Sequence, residues 1–256
     1  MAQLVARVLW EHEVEGSSPF TPTSFYSKML MNLLIDFDST IVGVESLDEL
    51  ARIALISSPD RSAKLQEIAS LTADGMAGKI PFSESLSKRL ALFSANKSHL
   101  NELVAILEQE LTLSFKERLK DLNDIASEIY IVSGGFTDYI APVLLEYGIE
   151  SDHILANNFT FDKNGCVTGC VTTNPLASNG GKVLAVRKLE LKGSVVMVGD
   201  GITDLQVAQA GLANSFIAYV EHANRPEVAG LGDRVAKDFG EVVEHLLQFD
   251  SYAGVA

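Results

Sequence analysis

The sequence is poor in cysteine, in basic residues and in long apolar runs, and each shortage excludes a class of protein. The 256 residues contain 2 cysteines, Cys166 and Cys170, too few for a disulfide framework and without the companions of a zinc site. Twenty Lys and Arg against 34 Asp and Glu give a formal net charge of −14. This charge argues against nucleic acid or an anionic membrane as a partner. No apolar run approaches the ~20 residues of a membrane span.

The same shortages bear on the compartment. Two cysteines without a framework fit a reducing cytoplasm. The N-terminal stretch lacks the basic region and apolar core of a secretory signal. We therefore expect a cytoplasmic protein without a nucleic-acid or membrane partner. The negative charge also repels anionic metabolites, so any phosphate site must be locally positive. The sequence does not indicate an oligomeric state and leaves a homodimer open.

The stretch Leu33–Thr40, LLIDFDST, runs from apolar residues into two aspartates. An apolar run that stops at polar residues is typical of a buried parallel strand that meets a loop. Because side chains alternate along a strand, Asp36 and Asp38 leave on the same side. In open α/β sheets, ligands bind at this carboxyl edge. A lone Asp-x-Asp pair is more often a solvated turn, so the case for a functional site depends on motifs elsewhere in the chain.

Helical and strand patterns divide the chain into a core and an insertion. About 65 residues of helical spacing, with no strand, separate the first strand, 31–35, from the next, 128–132. A parallel crossover needs only a dozen or so residues, so the excess predicts an inserted helical cap over residues 46–111. Residues 29–45 and 112–256 would form the catalytic core. Residues 1–28, with the Ser/Pro/Thr-rich stretch 16–24, are predicted to be a disordered or mistranslated N-terminal extension.

Strands and helices alternate through the core. This alternation predicts an α/β fold, a Rossmann-like doubly wound parallel sheet. Residues 159–171 are expected to form a hairpin with a type I′ turn at Asn164-Gly165. The cap would hinge near 43–45 and 111–114.

Three strand ends carry polar residues that the fold would bring to one edge. They are Asp36 with Asp38, Ser133 in SGG, and Asp200 in GDG. Acidic oxygens without His or Cys suit a hard cation, and Mg²⁺ is the natural choice beside phosphate. Ser133 and the glycines after it offer donors to an anion at a helix start, and Lys182 offers a positive charge. This set indicates an aspartyl-phosphate mechanism.

Four motifs, DFDST, SGG, GGK and GDGITD, resemble in type and order those of the haloacid dehalogenase-like phosphatases. The resemblance covers about residues 30–250. Within that superfamily the stretch MAGKIPFSESLSKRL is similar to the substrate-recognition segment of the phosphoserine phosphatase family. The resemblance implies Mg²⁺-dependent hydrolysis of a small phosphomonoester, O-phosphoserine first, in serine biosynthesis.

The resemblance also implies a role for each matching residue in the reaction. Asp36 would attack phosphorus. Asp38 would protonate the leaving oxygen and then activate water, which requires a raised pKa. Mg²⁺ would be held by the Asp36 carboxylate, the Asp38 backbone carbonyl and Asp200, with Asp204 supporting them. Phosphoryl oxygens would be held by Ser133, Gly134 and Lys182, with Thr203 nearby. Many family members have Asn where Thr203 stands, which puts in doubt only how phosphate is held there.

Substrate choice is expected between cap and core. Glu45 would pair with the substrate ammonium, Arg89 would grip its carboxylate, and Met76 and Phe82 would exclude water. Each of these residues also has an alternative role without substrate contact. Glu45 would be an exposed loop acid, Arg89 a solvated helix residue, and Met76 and Phe82 core residues only. At the level of function, the alternatives are another small phosphomonoester, phosphoryl transfer to an alcohol, or a retired enzyme that only binds metabolites. The retired enzyme is disfavoured because Asp36, Asp38 and Lys182 are all present.

Overall fold

The sheet is organised around β1 (Met31–Ile35), which is buried along its whole length. The computed structural model describes residues 30–253, with side chains to residue 249. The predicted extension, residues 1–28, lies outside the described residues. The other strands of this sheet are β2 (Glu128–Phe136), β3 (Ile154–Asn157), β6 (Ser194–Gly199), β7 (Ser215–Tyr219) and β8 (Arg234–Ala236). The six strands lie in the order β3-β2-β1-β6-β7-β8, and each neighbouring pair is parallel.

Helices cover both faces of the sheet, so the predicted doubly wound α/β class is confirmed. Alternate residues of β1 belong to different cores, with Leu33 and Ile35 in one and Leu34 in the other. Between β1 and β2 lie α1 (Ser46–Ala54), α2 (Arg61–Met76), α3 (Phe82–Ala91), α4 (Lys97–Gln109) and α5 (Leu113–Ile125). The later helices are α6 (Thr137–Leu145), α7 (Gly181–Arg187), α8 (Ile202–Gln209), α9 (Pro226–Ala229) and α10 (Phe239–Ala253).

The four helices α1–α4 leave the sheet and return to it through two paired connections. The Gly43 amide donates to the Glu110 carbonyl and the Thr112 amide to the Ile41 carbonyl, both at 2.9 Å. Val42 and Leu111 form an antiparallel bridge between them. We call residues 41–43 and 110–112 the paired connections. They overlap the predicted hinges, 43–45 and 111–114, at residues 43 and 111–112. Hinge motion and the division into core and cap stay predictions.

A two-stranded hairpin, β4 (Phe159–Phe161) and β5 (Val167–Cys170), stands apart from the main sheet. It bonds to the segment between α3 and α4. The Lys97 amide donates to the Gly165 carbonyl at 3.1 Å, and the Val167 amide donates to the Ala95 carbonyl at 2.9 Å. The hairpin therefore joins the helical insertion by main-chain hydrogen bonds.

Two local predictions are wrong. β2 does not end at Ser133 but continues to Phe136, with a register irregularity after Val132. The hairpin turn is not type I′, which needs a positive φ at Asn164. Among the described non-glycine residues, positive φ occurs at Ser39 and Glu190. Instead the Gly165 amide donates to the Asp162 carbonyl, and Gly165 takes the left-handed conformation with φ of 80°.

Within residues 30–253, none of the helices combines the length and the apolar character that crossing a bilayer requires.

Candidate active site

The carboxyl ends of the neighbouring strands β1 and β2 open into one cavity, and Asp200 at the end of β6 lies close to it. Ten of the twelve residues singled out in the sequence line it: Asp36, Asp38, Glu45, Met76, Phe82, Arg89, Ser133, Gly134, Lys182 and Thr203. The other two, Asp200 and Asp204, lie against Asp36. The structure thus brings the whole predicted set to one edge of the sheet.

Lys182 is the central cation of this edge. Its Nζ lies 2.8 Å from Asp36 Oδ1 and 2.7 Å from Asp204 Oδ1. Gly181 is needed beside it, because a Cβ there would lie 2.5 Å from the Pro175 carbonyl oxygen. Burial lowers the pKa of Lys182, but the Asp204 and Asp36 carboxylates outweigh it and raise the pKa overall. The lysine therefore stays charged next to the predicted nucleophile.

Three buried carboxylates form the acidic cluster, namely Asp36, Asp200 and Asp204. Each offers an oxygen within 4.8 Å of the others. Asp204 is already engaged, by Lys182 at Oδ1 and by the Gly201 amide at Oδ2, 3.1 Å away. Burial and Asp36 raise the pKa of Asp204 to about 7. Asp200 Oδ2 forms an ion pair with Arg225 Nη1, whereas Asp200 Oδ1 has no hydrogen-bond partner among the described residues. Oδ1 is therefore free to bind a ligand.

An all-oxygen donor set of this kind fits a hard divalent cation such as Mg²⁺. Among the described residues, two cations, Lys182 and Arg225, pair with these three carboxylates, so the cluster keeps an excess of negative charge. These residues therefore support a site for a hard metal ion.

Asp38 lines the same cavity as Asp36 and is held by the start of α1. Its Oδ1 accepts from the Ser46 amide at 3.1 Å and also from the Ser46 hydroxyl. Burial, followed by the Glu45 charge, raises the pKa of Asp38 to about 8 in spite of these bonds. Both bonds fall on Oδ1, which leaves Oδ2 to carry a proton. Ser46 is the first residue of α1, and its hydroxyl bonds to Asp38.

Glu45 is committed to two partners through Oε1. It accepts from the Ser39 hydroxyl at 2.9 Å and pairs with Arg225 Nη2 at 3.2 Å. Burial raises the pKa of Glu45, and the Arg225 charge opposes the rise. The other terminal nitrogen of Arg225, Nη1, forms an ion pair with Asp200 Oδ2. Arg225 was missed from the sequence, since a single arginine in a loop carries no signal.

Arg89 is buried rather than a solvated helix residue, so that alternative for Arg89 is wrong. It is only 7% exposed. Its Nη1 donates to the Thr72 hydroxyl at 3.1 Å and lies 3.6 Å from Asp48 Oδ1. The Thr72 hydroxyl in turn donates to Asp48 at 2.8 Å. Arg89 Nε is buried and has no described partner, so the guanidinium keeps a free donor beside the cavity.

Two apolar side chains from the helical insertion reach the loops of the sheet. A Cβ on Gly134 would lie 2.8 Å from Phe82 Cζ, and a Cβ on Gly201 would lie 3.0 Å from Met76 Cε. Ser133 is fully buried, and its hydroxyl accepts from the Gly135 amide at 2.9 Å. Phe82 therefore packs against the backbone at Gly134, and Met76 packs against the backbone at Gly201.

The sequence matches the model of the haloacid dehalogenase-like hydrolases over residues 33–209. A chloroplastic phosphoserine phosphatase of Arabidopsis thaliana is 34% identical over 82% of this chain and 70% of its own length. The chain therefore belongs to the haloacid dehalogenase-like hydrolase family, as an enzyme of the phosphoserine phosphatase type.

Solved structures agree with this assignment. A phosphoserine phosphohydrolase-like protein from Francisella tularensis superposes with a TM-score of 0.77 at 34% identity, covering 84% of this chain and 98% of that one. A phospho-aspartyl intermediate analogue of phosphoserine phosphatase superposes with a TM-score of 0.68 at 26% identity, over 84% and 97% of the two chains. The predicted fold and family are confirmed.

Proposed function

We propose that this protein hydrolyses O-phospho-L-serine to L-serine and phosphate with Mg²⁺, through a phosphoryl group carried on Asp36. The observation that carries the proposal is the placement of Lys182 between Asp36 and Asp204, beside a second carboxylic acid, Asp38, with a pKa raised to about 8. A nucleophile, a charge-neutralising cation and a general acid are what phosphate monoester cleavage needs.

The first half-reaction forms the covalent intermediate. Asp36 is oriented by the Phe37 amide, which donates to Oδ1 at 2.7 Å, and by Lys182. A carboxylate oxygen of Asp36 attacks phosphorus, and the bond from phosphorus to the serine oxygen breaks. Asp38, neutral below its raised pKa, gives its proton to that oxygen. Serine leaves as the alcohol.

The second half-reaction restores the enzyme. Asp38, now ionised, takes a proton from water, and the water oxygen attacks the phosphorus of the aspartyl phosphate. The bond from Asp36 to phosphorus breaks, phosphate leaves, and both carboxyl groups return to their starting states. Ser133, Gly134 and Lys182 would hold the phosphoryl oxygens, with Thr203 at the edge of the same cavity.

Mg²⁺ would be held by Asp36, Asp200 and the backbone carbonyl of Asp38, with Asp204 supporting Lys182. When bound, the ion supplies Lewis-acid stabilisation of the phosphoryl charge. The three buried carboxylates and the unpartnered Oδ1 of Asp200 support this assignment.

The substrate groups beyond the phosphate find complementary charges. Arg89 Nε, buried and unpartnered, suits a carboxylate, and Glu45 suits an ammonium. To bind the substrate ammonium, Glu45 has to give up its ion pair with Arg225. One positively charged partner of Glu45 is then replaced by another. Phe82 and Met76 would close the cavity to water as a cap.

A phosphomonoester panel, assayed with Mg²⁺ and with chelator, tests the proposal. We expect phosphoserine to be the preferred substrate, activity to vanish with chelator, and Asp36→Asn to remove phosphate release. The matched control is Asp152→Asn, an exposed acid away from the site. Turnover of phosphoserine no better than that of a generic phosphoester would exclude the substrate. Wild-type phosphate release by Asp36→Asn would exclude the covalent mechanism.

A further inference from the structure

The paired connections carry a hydrogen-bonded chain that the reaction does not use. Thr112, only 3% exposed, donates its hydroxyl to the Thr40 carbonyl at 3.0 Å. The same oxygen lies 2.7 Å from His222 Nε2, on the loop after β7. Three segments distant in sequence therefore meet at one hydroxyl: the Asp36 loop, the start of α5 and the loop after β7.

The direction of this chain follows from proton counting. A threonine hydroxyl has one proton, and the Thr40 carbonyl can only accept it. His222 Nε2 must therefore be the donor to Thr112, which requires a proton on that nitrogen. A phenylalanine ring at position 222 would preserve the ring but could not donate.

Two further observations show that the imidazole and the hydroxyl are fitted to this place. Thr112 stands at the N-terminus of α5 but does not cap it with its side chain, as threonine there usually does. The imidazole lies over the first connection, since a Cβ on Gly43 would be 3.3 Å from His222 Cε1 and Nδ1. His222 thus contacts both members of the paired connections.

The loop that bears His222 also reaches the site. Glu221 accepts from the Ser114 hydroxyl at 3.1 Å, next to the second connection. Arg225 pairs with Glu45, two residues beyond the first connection. A shift of the connections would therefore move the loop that neutralises Glu45.

We propose that His222 is a positioning residue that, through Thr112, fastens the paired connections to the Asp36 loop and so sets the placement of the helical insertion over the site. Its effect on substrate rests on the proposed function, because Glu45 and Arg89 lie on the insertion side and Asp36 on the sheet. The imidazole is itself exposed, so the fastening is one ordinary hydrogen bond, readily made and broken.

Amide hydrogen exchange in the substrate-free protein tests the fastening without reference to the substrate. In Thr112→Val and in His222→Phe we expect the Gly43 and Thr112 amides to exchange about threefold to tenfold faster, the effect of one hydrogen bond. Amides of β6 should keep wild-type exchange. Thr112→Ser, which retains the hydroxyl, should behave as wild type, and the double variant should be no faster than either single one.

Kinetics with phosphoserine and Mg²⁺ provide the second readout. We expect KM to rise about threefold or more in both variants, with kcat changed by less than about twofold, because binding on the insertion side is weakened while the chemistry on the sheet is kept. Unchanged exchange at the connections, or an equal increase in β6, overturns the fastening. Faster local exchange with unchanged KM overturns its role in substrate placement. If phosphoserine is not turned over at all, the proposed function fails while the exchange result still decides the fastening.

Discussion

The Phe82 ring lies against Gly134 so closely that a Cβ on the glycine would come within 2.8 Å of Cζ. Phe82 begins α3 of the helical insertion, and Gly134 lies near the carboxyl end of β2. The absence of one side chain thus sets how near the two parts approach.

Gly134→Ala should therefore prop the insertion away from the sheet. We expect KM for phosphoserine to rise about tenfold or more, since overpacking of this size costs ~1–3 kcal/mol. Steady-state kinetics check this. In a double-variant cycle, adding Phe82→Ala to Gly134→Ala should cost less than it does in the wild type, because removal of the ring relieves the clash that the alanine introduces. Additive losses would contradict the contact.

Arg89→Ala should raise KM for phosphoserine far more than for a phosphomonoester that lacks a carboxylate. A bidentate arginine–carboxylate pair contributes roughly 1.5–3 kcal/mol. The matched control is Lys88→Ala, which removes the neighbouring, exposed cation that pairs with Glu84. Equal effects of Arg89→Ala on both substrates would show that Arg89 does not contact the substrate carboxylate.

The Asp38 pKa predicts how stability depends on pH. The folded protein holds the Asp38 proton up to about pH 8, whereas the ordinary value is 3.8. Between these values the folded state binds more protons than the unfolded state, so the free energy of unfolding falls as pH rises, by up to ~1.4 kcal/mol per pH unit.

Urea unfolding of the metal-free protein between pH 4 and 8 measures this slope. Asp38→Asn removes the group and should give a shallower decline with pH. A variant whose slope equals that of the wild type would show that Asp38 is not the group that retains the proton.

Two glycines with similar backbone angles should differ in what they tolerate. Gly148, with φ of +76°, ends α6, and a Cβ there meets no atom within 4 Å. Gly193 has φ of +83°, and a Cβ there would lie 1.9 Å from the Leu30 carbonyl oxygen. Gly148→Ala should cost about 1 kcal/mol from strain alone, and Gly193→Ala about 3 kcal/mol or more. Equal losses in urea unfolding would contradict the steric difference.

Sequence reasoning located the residues of the site that sit at strand ends. Asp36, Asp38 and Asp200 follow apolar runs, and in a parallel sheet those ends must share an edge. Gly148, in the turn that follows α6, has a positive φ, which is common for a glycine after a helix. These features depend on local pattern and on one general property of the fold.

Contacts between distant segments could not be predicted in this way. Arg225 meets Glu45 across 180 residues of sequence, and its charge is indistinguishable from that of any solvated arginine. A serine at the start of a helix is typical of a cap, and nothing local shows that the Ser46 hydroxyl bonds to Asp38. β2 runs past Ser133 because pairing with β3 resumes at Phe136, and sequence alone does not give that register. Whether the insertion is a separate cap remains a prediction.

The hairpin that is hydrogen-bonded to Ala95 and Lys97 carries a natural site for a spectroscopic label. Cys166 is exposed and sits where the hairpin meets the segment before α4. A fluorophore attached to that thiol, in a chain with Cys170→Ser, would follow the position of the helical insertion, to which the hairpin is hydrogen-bonded. A label in the C-terminal half of the sequence would therefore report on movement of helices from the N-terminal half.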